Sequence, residues 1–130
     1  MFSDVRSQTS PLSDDKRAAY YVRAESGEEP SEPQCDGRGI LILSTVRMWS
    51  EHVPERLATA LQQSPRAEFT YPGQCASLRE REFEGDDPLY PVYIDFDHDY
   101  EALCAEVPKH PDAVPRLLTN EEEYVWPCTA

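Results

Sequence analysis

The sequence has few lysines, no glycine-rich phosphate loop and no long hydrophobic run. Neither GxGxxG nor GxxxxGK[ST] occurs, which excludes the usual phosphate-binding loops of nucleotide enzymes. No apolar stretch approaches membrane-spanning length, and the start MFSDVRSQTS lacks an apolar core of signal-peptide length. We therefore expect no membrane contact and a cytoplasmic location, in a bacterium or an infected host cell.

The cysteines and histidines form no recognisable site. Cys35, Cys75, Cys104 and Cys128 make neither a CxxC pair nor a zinc-finger pattern. Because thiols stay reduced in the cytoplasm, we expect four free cysteines, either buried or incidental. The three histidines are scattered along the chain and suggest no Ser/His/Asp or Cys/His set. The sequence thus predicts no catalytic residue, no metal ligand and no cofactor.

Negative charge is what the sequence has in excess. It carries 25 acids against 12 Lys and Arg, a formal net charge of −13. Residues 84–130 hold twelve of the acids and two of the bases, whereas residues 39–83 hold five of each. Such a field repels nucleic acid and anionic membranes and attracts basic protein surfaces. Direct nucleic-acid binding is therefore disfavoured, and the last third of the chain is the candidate for electrostatic contact.

Apolar patterning predicts a single α+β domain. The interpretation is a small sandwich with a mostly antiparallel sheet of about 4–6 strands and two helices packed on one face. Residues 1–16 are polar and are predicted to be a flexible or loosely docked arm, followed by the domain at 17–130. Residues 108–115 are expected to be a loop. The predicted strands are 17–25, 39–46 (buried on both faces), 66–73, 89–96 and 123–126, and residues 76–85 fit either an exposed strand, which we favour, or a short helix. The predicted helices are 54–64 and 99–107, and an earlier start of the first helix near Val46 with a kink at Pro54 is left open.

The stretch YIDFDHDYEALCAE, residues 93–106, is the most distinctive segment. Asp95, Asp97, Asp99 and Glu106 fall at positions 1, 3, 5 and 12, which resembles the ligand pattern of an EF-hand calcium loop. The sixth position requires glycine for its sharp turn and is Tyr100 here, and a strand precedes the loop instead of a helix. These departures disfavour calcium coordination.

Two other interpretations of the same aspartates remain open. Asp95 and Asp97 follow an apolar strand, which locally resembles the Asp-x-Asp of haloacid-dehalogenase phosphotransferases and implies Mg²⁺ chemistry. A divalent-metal-dependent hydrolase or phosphotransferase centred on Asp95, Asp97 and Asp99 is therefore one alternative, although that family needs a longer α/β scaffold. The plainer interpretation is structural, because Asp97 or Asp99 can cap the following helix and Glu101 suits its N-terminal dipole.

The acidic balance without a catalytic set favours an interaction protein. We expect it to bind and inhibit or mask a basic, nucleic-acid-binding partner, such as a nuclease, a DNA-binding protein or a CRISPR-type effector. Phage counter-defence proteins, immunity proteins and nucleic-acid mimics act in this way, and a structural subunit or homo-oligomer is a further alternative. The predicted contact residues are Asp86, Asp87, Asp95, Asp97, Asp99, Glu101, Glu121, Glu122 and Glu123.

Overall fold

Three α-helices and four strands make up the regular structure of the described residues. A computed structural model describes residues 12–78, 88–121 and 127–128. Two short 3-10 turns, Ala76–Leu78 and Val107–Lys109, complete the elements. In chain order the elements are α1 (Asp14–Tyr20), β1 (Gly39–Arg47), α2 (Val53–Leu61), β2 (Glu68–Phe69), β3 (Leu89–Asp95), α3 (Tyr100–Glu106) and β4 (Val114–Leu117).

The four strands form one antiparallel sheet in the order β2-β3-β1-β4. The predicted α+β class with a mostly antiparallel sheet is confirmed. The continuous apolar run GILIL at the start of β1 fits its central position, because its side chains alternate between clusters on the two faces of the sheet, with Ile40 and Ile42 in one and Leu41 and Leu43 in the other. Within the described residues, no helix is long and apolar enough to cross a membrane.

Helices α2 and α3 cover the same face of the sheet. Leu57 and Leu61, four residues apart and therefore on one side of α2, pack in a cluster with Val92 of β3. Leu103 of α3 packs in a cluster with Ile94, two residues further along β3. Because side chains two apart on a strand point to the same face, both helices lie on one side, as the sequence predicted.

Both long-range cysteine pairs are disulfides, so the expectation of free cysteines is wrong. Cys35 before β1 is bonded to Cys75 after β2, and the bridge lies on the sheet face opposite the helices. Cys104 of α3 is bonded to Cys128. The Cα atoms of the two pairs are 5.7 and 5.5 Å apart, within the range that a disulfide spans. The fold brings the two cysteines of each pair together, and the spacing of the cysteines along the sequence does not indicate the pairing.

The N-terminal part differs from its prediction. A helix, α1, occupies the first residues of the expected strand 17–25 and begins within the expected arm, of which residues 1–11 lie outside the described residues. Ser13 caps it by accepting a hydrogen bond from the backbone N–H of Lys16, and Asp14 and Asp15 lie in its first turn, where acids interact well with the helix dipole. The adjacent aromatic and branched residues Tyr20, Tyr21 and Val22 favour a strand, but the helix-start signals prevail over them.

Several smaller elements also differ from prediction. Strand β2 has two residues where 66–73 was expected, and the start of the expected strand 76–85 is a buried 3-10 turn. Strand β4 forms within residues expected to be a loop or left unassigned; its Pro115 is compatible with an edge position, where a missing N–H is tolerated. The expected strand 123–126 lies outside the described residues. The expected strands 39–46 and 89–96 and the expected helices 54–64 and 99–107 are confirmed within a few residues.

Candidate functional site

Asp95 ends β3 and holds two neighbouring segments together. Its Oδ2 accepts a hydrogen bond from Nη1 of Arg38 at 2.8 Å, and its Oδ1 accepts one from the backbone N–H of Asp97 at 2.8 Å. Only 22% of the Asp95 side chain is exposed. The carboxylate therefore mainly stabilises the internal structure, and it is less accessible to solvent than the sequence suggested.

Arg38 lies between two carboxylates. Its Nε and Nη2 donate to the two oxygens of Asp36, each at 3.1 Å, while Nη1 reaches Asp95. This bidentate contact places two guanidinium N–H groups against the two oxygens of one carboxylate. The hydrogen bonds from Arg38 lower the pKa of Asp36, and the two carboxylates, Asp36 foremost, raise the pKa of Arg38. Asp36 and Arg38 therefore stay charged across the neutral range.

Asp97 and His98 form the outer tip of the turn. Asp97 has a left-handed backbone (φ 56°), which aspartate tolerates better than most residues, and 72% of its side chain is exposed. His98 Nδ1 lies 2.9 Å from Oδ1 of Asp97, and its Nε2 lies 3.1 Å from the carbonyl oxygen of Asp36. The Asp36 carbonyl, followed by the Asp97 carboxylate, raises the pKa of His98, because both accept hydrogen bonds from the protonated ring.

Asp99 and Glu101 open helix α3. The side chain of Asp99 accepts a hydrogen bond from the backbone N–H of Ala102 at 3.1 Å, so the predicted cap is confirmed at Asp99. Glu101 is exposed in the first turn. Tyr100, which occupies the glycine position of the calcium-loop pattern, is instead the first helical residue and donates its hydroxyl to the carbonyl of Gly37 at 2.6 Å.

The predicted contact residues therefore fall into three groups. Asp95, Asp97, Asp99 and Glu101 meet at one edge of the molecule, and Asp36, which sequence analysis missed, joins them. Glu121 is exposed beyond β4, and its backbone carbonyl and N–H form hydrogen bonds with the Thr119 hydroxyl. Asp86, Asp87, Glu122 and Glu123 lie outside the described residues. We name the set Asp36, Asp95, Asp97, Asp99 and Glu101 the acidic corner.

The acidic corner has no converging set of metal ligands. Asp95 is turned towards Arg38 and Asp99 towards the α3 backbone, so their oxygens serve different partners. Within residues 12–78, 88–121 and 127–128, no group of three or more His, Cys, Asp or Glu side chains is arranged to hold a metal ion. The geometry therefore gives no support to the metal-dependent hydrolase alternative.

Fold and site together define a small α+β domain with an acidic surface fixed at one end of the sheet. No protein-family model, curated protein or solved structure matches the chain.

Proposed function

We propose that this protein is an interaction module that binds a basic surface of a partner protein through the acidic corner. The supporting observation is that Asp97, Asp99 and Glu101 are exposed, while no Arg or Lys of the described residues forms an ion pair with them. Their charges are therefore available to a partner, and an inhibitor that masks a nucleic-acid-binding site uses surface carboxylates of this kind.

The local charge supports the same proposal. The acidic corner contributes five carboxylates, and among the described residues Arg38 and Arg66 place guanidinium groups beside it, with Nη2 of Arg66 3.4 Å from the Asp95 carbonyl oxygen. Five negative and two positive groups leave a net charge of −3 with His98 neutral. Binding to a basic surface would be steered by this field and would weaken as salt screens it.

Rigidity adds to the argument, because a fixed surface loses little conformational entropy on binding. The backbone N–H of Gly39 donates to the Asp97 carbonyl at 2.7 Å, and that of Phe96 donates to the Gly39 carbonyl at 2.9 Å. Together with the Asp95 hydrogen bonds, these contacts hold the turn against the start of β1. The carboxylates would therefore meet a partner in the positions they already occupy.

The disulfides bear on where the protein would act. Disulfides persist in oxidising compartments and are rare in the cytosol, where thiols are kept reduced. Because the chain has two disulfides, we propose an oxidising compartment in place of the cytoplasmic location expected from the sequence. Among the predicted partner classes, this favours a secreted basic nuclease over a cytosolic effector.

The test compares two variants of equal charge change. The corner variant carries Asp97→Asn, Asp99→Asn and Glu101→Gln, in which asparagine retains the helix cap. The control variant carries Glu25→Gln, Glu32→Gln and Asp112→Asn, three acids that are also exposed. Each is titrated with an octa-arginine peptide at stepped salt concentrations.

We expect the corner variant to bind about tenfold more weakly at low salt, since three exposed ion pairs are each worth a few tenths of a kcal/mol or more. The salt dependence should flatten with it. The control should lose clearly less affinity. Equal losses in the two variants would mean that total charge alone governs binding, and the proposal would be wrong. The same pair of proteins then serves as bait and control for isolating the natural partner.

A further inference from the structure

His98 lies in the acidic corner with both of its ring nitrogens next to hydrogen-bond acceptors. Nδ1 is 2.9 Å from Oδ1 of Asp97, and Nε2 is 3.1 Å from the backbone carbonyl oxygen of Asp36. An ionised carboxylate and a carbonyl only accept hydrogen bonds, so each ring nitrogen needs a proton to complete its contact. A neutral imidazole carries one N–H, whereas the protonated ring carries two. The position of the ring therefore suits its protonated form.

The charged groups that face the ring favour the same form. The Asp97 carboxylate contacts Nδ1 directly, and Oδ1 of Asp36 lies 3.8 Å from Nε2. Arg38, in the same loop as Asp36, donates to that carboxylate, and Tyr100 of α3 meets the ring edge to face with the two centroids 6.2 Å apart. The Asp36 carbonyl, followed by the Asp97 carboxylate, raises the pKa of His98. Geometry and charge thus agree that the folded protein stabilises the imidazolium.

Protonation of His98 changes the charge that a partner would meet. The five carboxylates of the acidic corner and the guanidinium groups of Arg38 and Arg66 sum to −3 with His98 neutral, and one added proton makes this −2. The new charge lies at the surface, because 50% of the His98 side chain and 72% of the Asp97 side chain are exposed. Asp97 then has a counter-ion within the protein, and its carboxylate is less available to an Arg or Lys of a partner.

We propose that His98 makes binding at the acidic corner depend on pH. In acidic solution the imidazolium holds the Asp97 carboxylate and weakens the attraction for a basic partner, and above neutral pH the uncharged ring releases it. This inference rests on the proposed function, because it concerns the affinity of the same surface. Histidine is the side chain whose charge ordinarily changes between about pH 5 and pH 8, so one ring is sufficient for the effect.

The other two histidines lie away from the acidic corner. His52 precedes helix α2, and Nε2 of His110 lies 3.0 Å from Oε2 of Glu106 at the opposite end of α3. Carboxyl groups in water titrate near about pH 4, and the hydrogen bonds from Arg38 lower the pKa of Asp36 further. A change in affinity between pH 5.5 and pH 8.5 that depends on the corner therefore reports His98.

The experiment titrates acetylated octa-arginine amide onto the protein at low salt, at pH 5.5 and at pH 8.5. The charge of this peptide is constant between the two values, because guanidinium stays protonated and both termini are blocked. We expect wild type to bind about threefold more weakly at pH 5.5, the order of one exposed ion pair. In His98→Gln, whose amide does not titrate, this pH dependence should largely disappear.

The matched control is His52→Asn. His52 is also exposed and also lies beside two carboxylates, since its ring nitrogens are 3.9 Å from Glu51 and 3.9 Å from Glu55. Its backbone is left-handed (φ 63°), which asparagine tolerates. His52→Asn should retain the pH dependence of wild type. Retention would exclude the loss of any histidine charge as the explanation for His98→Gln.

A second measurement uses the unmodified protein and does not depend on whether His98→Gln folds. NMR follows the titration of the His98 ring with and without a saturating concentration of the peptide. Binding and protonation are linked, so a peptide that prefers the neutral ring must lower the pKa of His98. The size of this fall is fixed by the factor by which protonation changes the affinity, so the two measurements check each other.

Three outcomes would overturn the inference. They are equal pH dependence in wild type and His98→Gln, tighter binding of wild type at pH 5.5 than at pH 8.5, and a pKa of His98 that the peptide leaves unchanged or raises. The proposed function fails in a different comparison, in which the corner variant and its control variant lose equal affinity at pH 8.5. In that case the inference falls with it.

Discussion

The two halves of strand β1 differ in composition, neighbours and use. Gly39 to Ile42, the closed half, lie between β3 and β4, while residues 43–47, the open half, have β3 as their one described strand neighbour and include two exposed positions, Thr45 and Arg47. The closed half adjoins the acidic corner, and the open half lies beside a groove that it forms with helix α2. Polar residues appear where the second neighbour ends, so the environment of each half explains its composition.

The two halves of β1 contribute differently to the stability of the protein. The closed half fixes the position of the corner, because Gly39 and the turn after β3 exchange backbone hydrogen bonds. The open half has β3 alone beside it among the described strands and includes exposed positions. We therefore expect changes in the closed half to lower the free energy of unfolding strongly, and changes at the exposed positions of the open half to lower it little.

The largest effect should come from the disulfide beside the closed half. Cys35→Ala with Cys75→Ala removes a bridge that spans 40 residues of sequence, and from loop-closure entropy we expect the free energy of unfolding to fall by about 4 kcal/mol. Cys75 is fully buried in the cluster that contains Ile40 and Ile42, so packing is lost as well. Urea denaturation of the double variant against wild type measures the difference.

An unchanged urea midpoint would contradict this assignment. Mass spectrometry after alkylation without reductant gives an independent check, because the bridged protein should take up no label. Labelling of all four cysteines in protein from its natural source would show that they are reduced, as the sequence suggested.

The comparison within β1 is sharpest at Leu41 and Thr45. Leu41 is fully buried beside Leu103 and Ile94, and Leu41→Ala should cost about 3 kcal/mol through lost burial and a cavity. Thr45→Ala in the open half should cost about 0.5 kcal/mol, as at other exposed positions. Both are measured as shifts of the urea midpoint at constant slope. Similar costs at the two positions would show that the open half is covered.

A smaller effect is expected at Gly39, where β1 meets α3. A Cβ atom there would lie 2.7 Å from Cδ2 of Leu103 and 3.3 Å from Cδ1 of Tyr100. Gly39→Ala should therefore cost about 1–2 kcal/mol by overpacking, because Leu103 is fully buried and has little room to move.

A double-mutant cycle tests that cause. Leu103→Ala makes room for the new methyl group, so Gly39→Ala should cost at least about 1 kcal/mol less in that background. Additive losses would place the origin elsewhere, in the backbone of Gly39 and not in its contact with α3.

Sequence reasoning succeeded where one local signal was sufficient. Strands β1 and β3 are long apolar runs, Pro54 lies in the first turn of α2, and Asp99 caps α3. It failed at β4, whose four residues VPRL contain a proline and carry no periodic signal. That strand exists because the edge of the closed half of β1 is available to it.

The candidate site divides in the same way. Four of its five acids lie at alternate positions from Asp95 to Glu101 and could be predicted as one corner. The contact of Asp36 and Arg38 with Asp95 depends on the pairing of Ile40 with Asp95, and no local pattern encodes that register. For GILILSTV, burial on both faces is expected throughout but holds only up to Leu43, because the sequence pattern does not reveal where the layers that cover the two faces end.

The smallest predicted effect concerns pH and the link between the corner and the loop before β1. Contacts with the Asp36 carbonyl and the Asp97 carboxylate raise the folded pKa of His98 above its unfolded value, which is about 6.5. The stabilisation is thus fully present below that unfolded pKa and is lost as pH rises through the folded pKa. The wild-type urea midpoint should therefore fall between pH 6 and pH 8.5 by more than that of His98→Gln. The other titrating groups are common to both proteins, so the difference between the two slopes reports His98 alone. Identical slopes would mean that His98 does not bridge the turn to Asp36, and that the closed half of β1 is joined to the corner by the Arg38 pair and the backbone hydrogen bonds only.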